Sequence, residues 1–339
     1  MISVIIPAYN AEQFIENTVA SVFKQTYTAF EILIVNDGST DRTKEICENL
    51  AGQHSQIRFF DKENSGVSAT RNVALRHMKG DYVFFLDSDD VLPEYAFELL
   101  VREMERGGSQ CDAVFGTHAY GYGEKRMPRV PRVESGEYTY DDFKDHFLDD
   151  GTLTGILFGS ACGVLYRTNV IFEHEIYFHE KVLSNEDGLF NFMFLRAAEK
   201  IRVLASPYVY VYNQWKNNRT RPLDKDRKLI NGEAYIESWM EREGIKEEFE
   251  NQLLTRRVMI AFLNSIRVGD SKTNYRQARA FLKDEWSDPQ VQRGFRHMNY
   301  EHMSKYKKLI CMMMRRRMYL IFYLVIRYLY PFAGKVIKR

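Results

Sequence analysis

The chain has 339 residues, 45% of them hydrophobic and 27% charged, with a net charge of +1. This is ordinary globular composition with ample material for a core, and the length predicts two domains or one domain with a large extension. The cysteines, Cys47, Cys111, Cys162 and Cys311, have neither paired nor metal-type spacing. That excludes a disulfide framework and predicts free buried thiols in a reducing compartment.

The chain opens on a strand-like segment without a charged and apolar leader, so no signal peptide is predicted and a cytoplasmic location follows. Short apolar runs then alternate with helical patterns. Ile2 to Ile6, Phe30 to Val35, Ile57 to Phe60, Tyr82 to Leu86 and Ala113 to Phe115 are predicted as buried strands. Phe14, Ile15, Val19, Val22 and Phe23 recur at helical spacing. Asp41 to Leu50, Ser68 to Met78 and Pro93 to Arg106 are further predicted helices, the last opened by a proline. This repetition implies right-handed crossovers and an α/β fold with a mostly parallel sheet. Ligands of such sheets bind beyond the carboxyl ends of the strands.

The unusual polar sequences fall at those ends: Pro7-Ala8-Tyr9-Asn10, Asn36-Asp37-Gly38-Ser39-Thr40-Asp41, Asn64 to Asn72, and Asp87-Ser88-Asp89-Asp90. Each has an ordinary reading alone. Asp37-Gly38-Ser39 can be a turn with a helix cap, Asp-Ser-Asp-Asp a solvated turn, Tyr9 rim packing and Arg71 a surface charge. Together they place an aromatic ring, carboxylates, an arginine and a glycine turn around one crevice. That set suits a nucleoside diphosphate: a tyrosine face can lie against a base, and two carboxylates one residue apart can hold Mg²⁺ or Mn²⁺ with phosphate oxygens.

The segments Ser3 to Asn10, Val35 to Asp41, Gly66 to Asn72 and Phe85 to Asp90 closely resemble the family 2 glycosyltransferases. The resemblance is strong to about residue 115 and looser to about residue 222. It implies a GT-A type fold, a nucleotide-sugar donor (most often a UDP-sugar), a Mn²⁺ or Mg²⁺ cofactor and inversion at the transferred sugar. It further implies nucleotide contacts from Pro7, Ala8, Tyr9, Asp37, Asn64, Arg71, Asp87 and Ser88, with Tyr9 against the base and Asp37 on its imide edge. Asp89 would be the direct metal ligand, and Asp87 a ribose or water-mediated contact at the same metal.

From Thr117 to Glu137, glycines, prolines and basic residues predict a long mobile loop. A helix Tyr140 to Asp149, a strand near Ala161 to Tyr166, a helix from about Asn185 to Ala198 and a strand Val203 to Tyr212 interrupted at Pro207 follow. The family places its base in a Glu-Asp pair opening a helix, and Ser184-Asn185-Glu186-Asp187-Gly188 fits that pattern. Asp187 is then the expected base, with Glu186 as its orienting neighbour or the alternative base. Ser184 with Asp187 also reads as a capping box. Lys216 and Arg219 are candidate diphosphate contacts, although a solvated basic loop explains them equally well.

A dinucleotide dehydrogenase is disfavoured because no Gly-x-Gly-x-x-Gly follows the first strand. A sugar nucleotidyltransferase would want a glycine-rich basic loop where Pro-Ala-Tyr-Asn stands. A non-catalytic membrane-bound scaffold is disfavoured by Asp87, Asp89 and Asp187 occurring together. The expected organisation is a nucleotide-sugar-binding half at 1–116, an acceptor and catalytic-base half at 117–222, a helical extension at 223–300, read as three helices to Trp286, and a tail at 301–339.

The tail inverts the chain's charge balance. No acid follows Glu301, whereas ten basic residues do, from Lys305 to Arg339. The longest apolar run, Met318 to Ile326, ends at Arg327 and falls short of the ~20 residues a spanning helix needs. A basic, apolar and tyrosine-rich tail predicts attachment to the inner membrane face without crossing, and points away from nucleic acid. A buried packing helix within Tyr300 to Tyr330 is the competing expectation. With a membrane surface goes a saccharide or lipid-linked acceptor.

Overall fold

A computed structural model describes residues 1–108, 111–130, 132–153, 155–182, 184–214, 227–269 and 274–329. The chain divides into two compact units. The first comprises Met1–Asp142, Phe158–Lys181 and Glu186–Asn218, and the second Phe143–Leu157, Val182–Asn185 and Arg219–Arg339.

The first unit begins β1 (Ile2–Ala8), α1 (Ile15–Phe23), β2 (Phe30–Asp37), α2 (Thr43–Gln53), β3 (Ile57–Lys62), α3 (Val67–His77), β4 (Tyr82–Phe85) and α4 (Ala96–Glu105). It continues with β5 (Ala113–Tyr122), β6 (Lys125–Pro128), β7 (Gly136–Tyr138), β8 (Val164–Arg167), α5 (Thr168–Glu173), α6 (Glu186–Ala197) and β9 (Ile201–Asn213). The sheet order is β3-β2-β1-β4-β8-β5-β9-β7, with β6 on β5. β1 is central: Ile5 pairs in parallel with Leu33 of β2 and with Phe85 of β4. Burial on both faces explains why β1 and β2 read as nearly unbroken apolar runs. The crossovers α1, α2 and α3 follow the predicted helices within a few residues.

The second half departs from expectation in three places. The predicted mobile loop at Thr117 to Glu137 carries the end of β5, all of β6 and the start of β7. One of its glycines serves strand packing: a Cβ on Gly121 would stand 2.9 Å from a methyl of Val211 on the neighbouring β9. The predicted helix Tyr140 to Asp149 is only a single turn at Tyr140–Asp142. Asp142 takes hydrogen bonds from the Thr139 N–H and hydroxyl instead, at 2.7 and 2.9 Å. β9 passes straight through Pro207, because the strand bulges there: Leu204 pairs with Gly116, but Tyr208 with Thr117.

The second unit holds α7 (Arg227–Arg242), α8 (Glu250–Ile266), α9 (Tyr275–Ser287), α10 (Pro289–Gly294), α11 (Lys305–Arg315) and α12 (Tyr319–Leu324). α7, α8 and α9 match the three helices predicted before Trp286. Its core gathers Val258, Phe262, Leu282 and Trp286 with Ile310, Met313, Met314, Phe322 and Ile326 of the tail. Trp286 is fully buried, stacks on Tyr319 at 5.0 Å and donates its indole N–H to Ser265 Oγ at 2.8 Å. Burying each such side chain contributes roughly 2–3 kcal/mol.

The tail is not one continuous helix. Arg317 has φ +55°, and the N–H groups of Arg317 and Met318 donate to the carbonyls of Met314 and Met313 at 3.1 and 2.9 Å. This is the helix-ending motif that normally takes glycine. An arginine there costs roughly 1–2 kcal/mol of backbone strain. No helix among the described residues is long and apolar enough to cross a membrane.

Candidate active site

The parallel register brings the carboxyl ends of β1, β2 and β4 to one edge. A cavity of about 480 Å³ opens there, lined by Pro7, Ala8, Tyr9, Asp37, Asn64, Asp87, Ser88 and Asp89 among others. Tyr9 is 52% exposed at its rim, where a planar ligand can stack. The rim is fixed by short polar links: Asn10 accepts the Thr40 N–H at 2.8 Å, and its own N–H donates to Ser39 Oγ at 3.0 Å.

Asp37 is both lining and scaffold. Its carboxylate accepts the Ser65 and Gly66 N–H groups at 2.8 and 3.0 Å and pairs with Lys62. Burial pushes its pKa up, but the Lys62 ammonium and the two amides outweigh that and leave it below the usual carboxylate value. Asn64 closes the turn by donating to the Asp37 carbonyl at 2.8 Å. Gly38 is required where it stands, since a Cβ would lie 2.7 Å from the Asn64 nitrogen and φ is +66°.

Arg71 lies outside the cavity lining. Its side chain is 3% exposed, packed over the rings of Phe178 at 5.0 Å and Phe85 at 5.9 Å. One guanidinium nitrogen donates to Asp187 and another to Asp87 at 3.0 Å. Burial opposes its charge, but the two carboxylates hold it firmly protonated. Asp187 also accepts the Ala161 N–H at 3.0 Å, so both of its oxygens are engaged by residues distant in sequence. Glu186 receives no hydrogen bond from another described residue. Its pKa is raised by burial and then by the charge of Asp187.

The Asp-Ser-Asp-Asp turn is bolted to β9. The buried Asp90 accepts the Tyr210 hydroxyl at 2.8 Å and the Asn213 N–H at 2.9 Å, and the Asp87 N–H donates to Tyr210 at 3.1 Å. The Asn213 side chain reaches the Asp89 carbonyl at 2.9 Å. The Asp89 carboxylate takes no hydrogen bond from another described residue, and burial followed by the neighbouring Asp87 raises its pKa. A partly desolvated carboxylate beside a second one is a site that favours a cation. Among the described residues no three His, Cys, Asp or Glu side chains cluster as a metal cage. The two aspartates would therefore need oxygens from a ligand to complete a coordination shell.

Sequence reasoning missed the supporting residues. Asn191 accepts the Tyr166 hydroxyl at 2.6 Å and donates to the carbonyls of Phe158 and Ser160 at 2.7 and 2.9 Å. It thereby shapes the loop that offers the Ala161 N–H to Asp187. Its signal was one amide inside the apolar run Leu189 to Leu195. Tyr210 and Asn213 carried no local signal. Lys216 and Arg219 lie outside the described residues.

The family model for Glycosyl transferase family 2 matches residues 3–172. The uncharacterized glycosyltransferase EpsJ of Bacillus subtilis (strain 168) is 31% identical over 221 residues, which cover 65% of this chain and 63% of EpsJ, just under two thirds of that relative. S. aureus TarS 1-349, solved in complex with UDP-GlcNAc, shares the fold with a TM-score of 0.63 at 22% identity, covering 97% of this chain and 91% of that one. The mannosyltransferase PcManGT of Pyrobaculum calidifontis, solved with GDP-Man and Mn²⁺, has a TM-score of 0.51 at 18% identity, covering 96% and 86%.

Proposed function

The chain belongs to glycosyl transferase family 2, and from that premise we propose that it moves a sugar from a UDP-sugar to a hydroxyl of a saccharide or lipid-linked saccharide acceptor. The observation that carries this reading is the cavity in which Tyr9, Asp37, Asn64, Asp87 and Asp89 meet. Its supports are a rim tyrosine for a base, polar groups at the depth of a nucleoside, and carboxylates where a diphosphate would leave. TarS has been solved with UDP-GlcNAc, which favours uridine as the nucleotide.

Asp89, with Asp87 beside it, would hold Mn²⁺ or Mg²⁺, whose charge offsets that of the departing diphosphate. Asp187 takes the proton of the acceptor hydroxyl as that oxygen attacks the anomeric carbon opposite the diphosphate, which inverts the centre. Its support is orientation: Arg71 and the Ala161 amide fix the carboxylate while leaving lone pairs for a hydroxyl. Glu186 stands as orienting neighbour. The reaction belongs on the inner face of the cell membrane, where an envelope polysaccharide precursor is at hand, and the basic tail supports that peripheral placement.

Calorimetric titration of UDP tests the donor site. The unaltered chain should bind UDP more tightly with Mn²⁺ than with EDTA, and Asp89→Asn should weaken binding on the order of 10–100-fold, since loss even of an outer-shell partner costs that much. Equal affinity of the two proteins with unchanged Mn²⁺ dependence would refute the assignment.

A further inference from the structure

The two tail helices bury one face each and leave the other open. On α11, Ile310, Cys311, Met313 and Met314 enter the core of the second unit. Lys305, Leu309, Met312 and Arg316, at i, i+4, i+7 and i+11, are exposed. On α12, Phe322 and Tyr323 are buried, whereas Leu320, Ile321 and Leu324 are 51%, 49% and 45% exposed. At about 100° per residue these three fall within one arc of about 100° on the helix. Exposed large apolar residues grouped this way mark an interaction surface.

Its charge says what kind. A cavity of about 470 Å³ at the exposed side of α11 is lined by Tyr300, Lys308, Met312, Arg315 and Arg316, with no acid. Arg316 and Arg317 make no ion pair among the described residues. The strained left-handed backbone at Arg317 keeps three consecutive arginines at the helix junction. No acidic residue follows Glu301 to neutralise them.

We propose that the exposed sides of α11 and α12 dock together on an anionic lipid bilayer, with Leu320, Ile321 and Leu324 in the acyl boundary and Lys308, Arg316 and Arg317 on phosphate headgroups. Exposed aliphatic side chains for the acyl boundary, cations for the headgroups and the exposed Tyr328 are the residue types of an interfacial surface. A soluble polyanion would satisfy the cations but give the three aliphatic side chains nothing to bury against. The inference rests on the peripheral reading of the tail and narrows it to one face. The other side of each helix is already committed to the protein core.

Co-sedimentation of the full chain with vesicles tests it, using phosphatidylglycerol–phosphatidylethanolamine against phosphatidylcholine, at low and high salt. The unaltered chain should pellet with anionic vesicles only, less at high salt. The triple variant Leu320→Ser, Ile321→Ser, Leu324→Ser and the triple Lys308→Gln, Arg316→Gln, Arg317→Gln should each bind at least about tenfold more weakly. A control of equal charge change, Arg242→Gln, Lys246→Gln, Lys283→Gln, should bind as the unaltered chain does. Inorganic phosphate at millimolar concentration should not compete.

Because all native cysteines are buried, a Leu324→Cys chain can carry one environment-sensitive fluorophore. Its emission should shift to the blue on adding anionic vesicles, which reads the face directly even if a triple variant folds poorly. Full binding by both triples with no spectral shift would overturn the face and leave peripheral attachment standing. No pelleting by the unaltered chain would overturn both.

Discussion

Arg71 and Asp187, 116 positions apart in sequence, are joined by a buried ion pair, and the same guanidinium reaches Asp87 at 3.0 Å. One cation thus ties the carboxylate proposed as base to the turn proposed to carry the metal. Its fork geometry suits this, because two N–H groups point to two different acceptors at a fixed angle.

Replacing Arg71 should therefore affect catalysis more than its distance from the cavity suggests. Arg71→Lys keeps the charge but loses the bridge, and should lower kcat on the order of 10²-fold. Arg71→Met leaves Asp187 uncompensated and should destabilise the fold by about 3 kcal/mol, read by urea denaturation. Normal turnover by Arg71→Lys would show that the bridge positions nothing.

Asp187→Asn should lose roughly 10²- to 10⁴-fold in rate with donor affinity near normal. Glu186→Gln should cost less. A fall in melting temperature with activity largely kept in Asp187→Asn would make its pair with Arg71 structural rather than catalytic. A larger loss in Glu186→Gln than in Asp187→Asn would move the proton to Glu186.

His118 on β5 predicts an acid limit to stability. Burial lowers its pKa to about 4, against an ordinary value of 6.5, and its ring stacks on Tyr212 at 5.0 Å with one nitrogen 2.9 Å from the Cys162 carbonyl. The unfolded chain therefore binds a proton in this window that the folded chain does not. Stability from the neutral ring is fully present above pH 6.5 and is lost as pH falls toward 4, by up to about 3 kcal/mol. His118→Gln should flatten the unfolding free energy across that window, and an unchanged slope would exclude the residue as its origin.

The first half of the molecule was legible because its signals are local. Short unbroken apolar runs bounded by turn residues read as strands buried on both faces, and a parallel sheet puts the polar sequences after β1, β2 and β4 at one edge. The second half was less so, because its determinants are non-local. Gly121 reads as a loop residue until Val211 of β9 is placed against it, and Pro207 as an interruption until the bulge is known. In the same way, the partners of Arg71 and Asp90 come from α6 and β9. Sequence gave Arg71 as a site residue, but only the fold turns its guanidinium toward Asp187 and Asp87. The tail was read for its charge and aromatic content, whereas the burial of Ile310, Met313, Met314 and Phe322 depends on α8 and α9 offering a complementary face.

Nucleotide release from a panel of UDP-, GDP- and CMP-sugars, with Mn²⁺ and with EDTA, decides whether this chain is a metal-dependent UDP-sugar transferase. At least one UDP-sugar should be hydrolysed slowly, in a reaction that requires the metal and is lost in Asp89→Asn. Absence of UDP release from every donor in both conditions, by a protein shown to be folded, would contradict it.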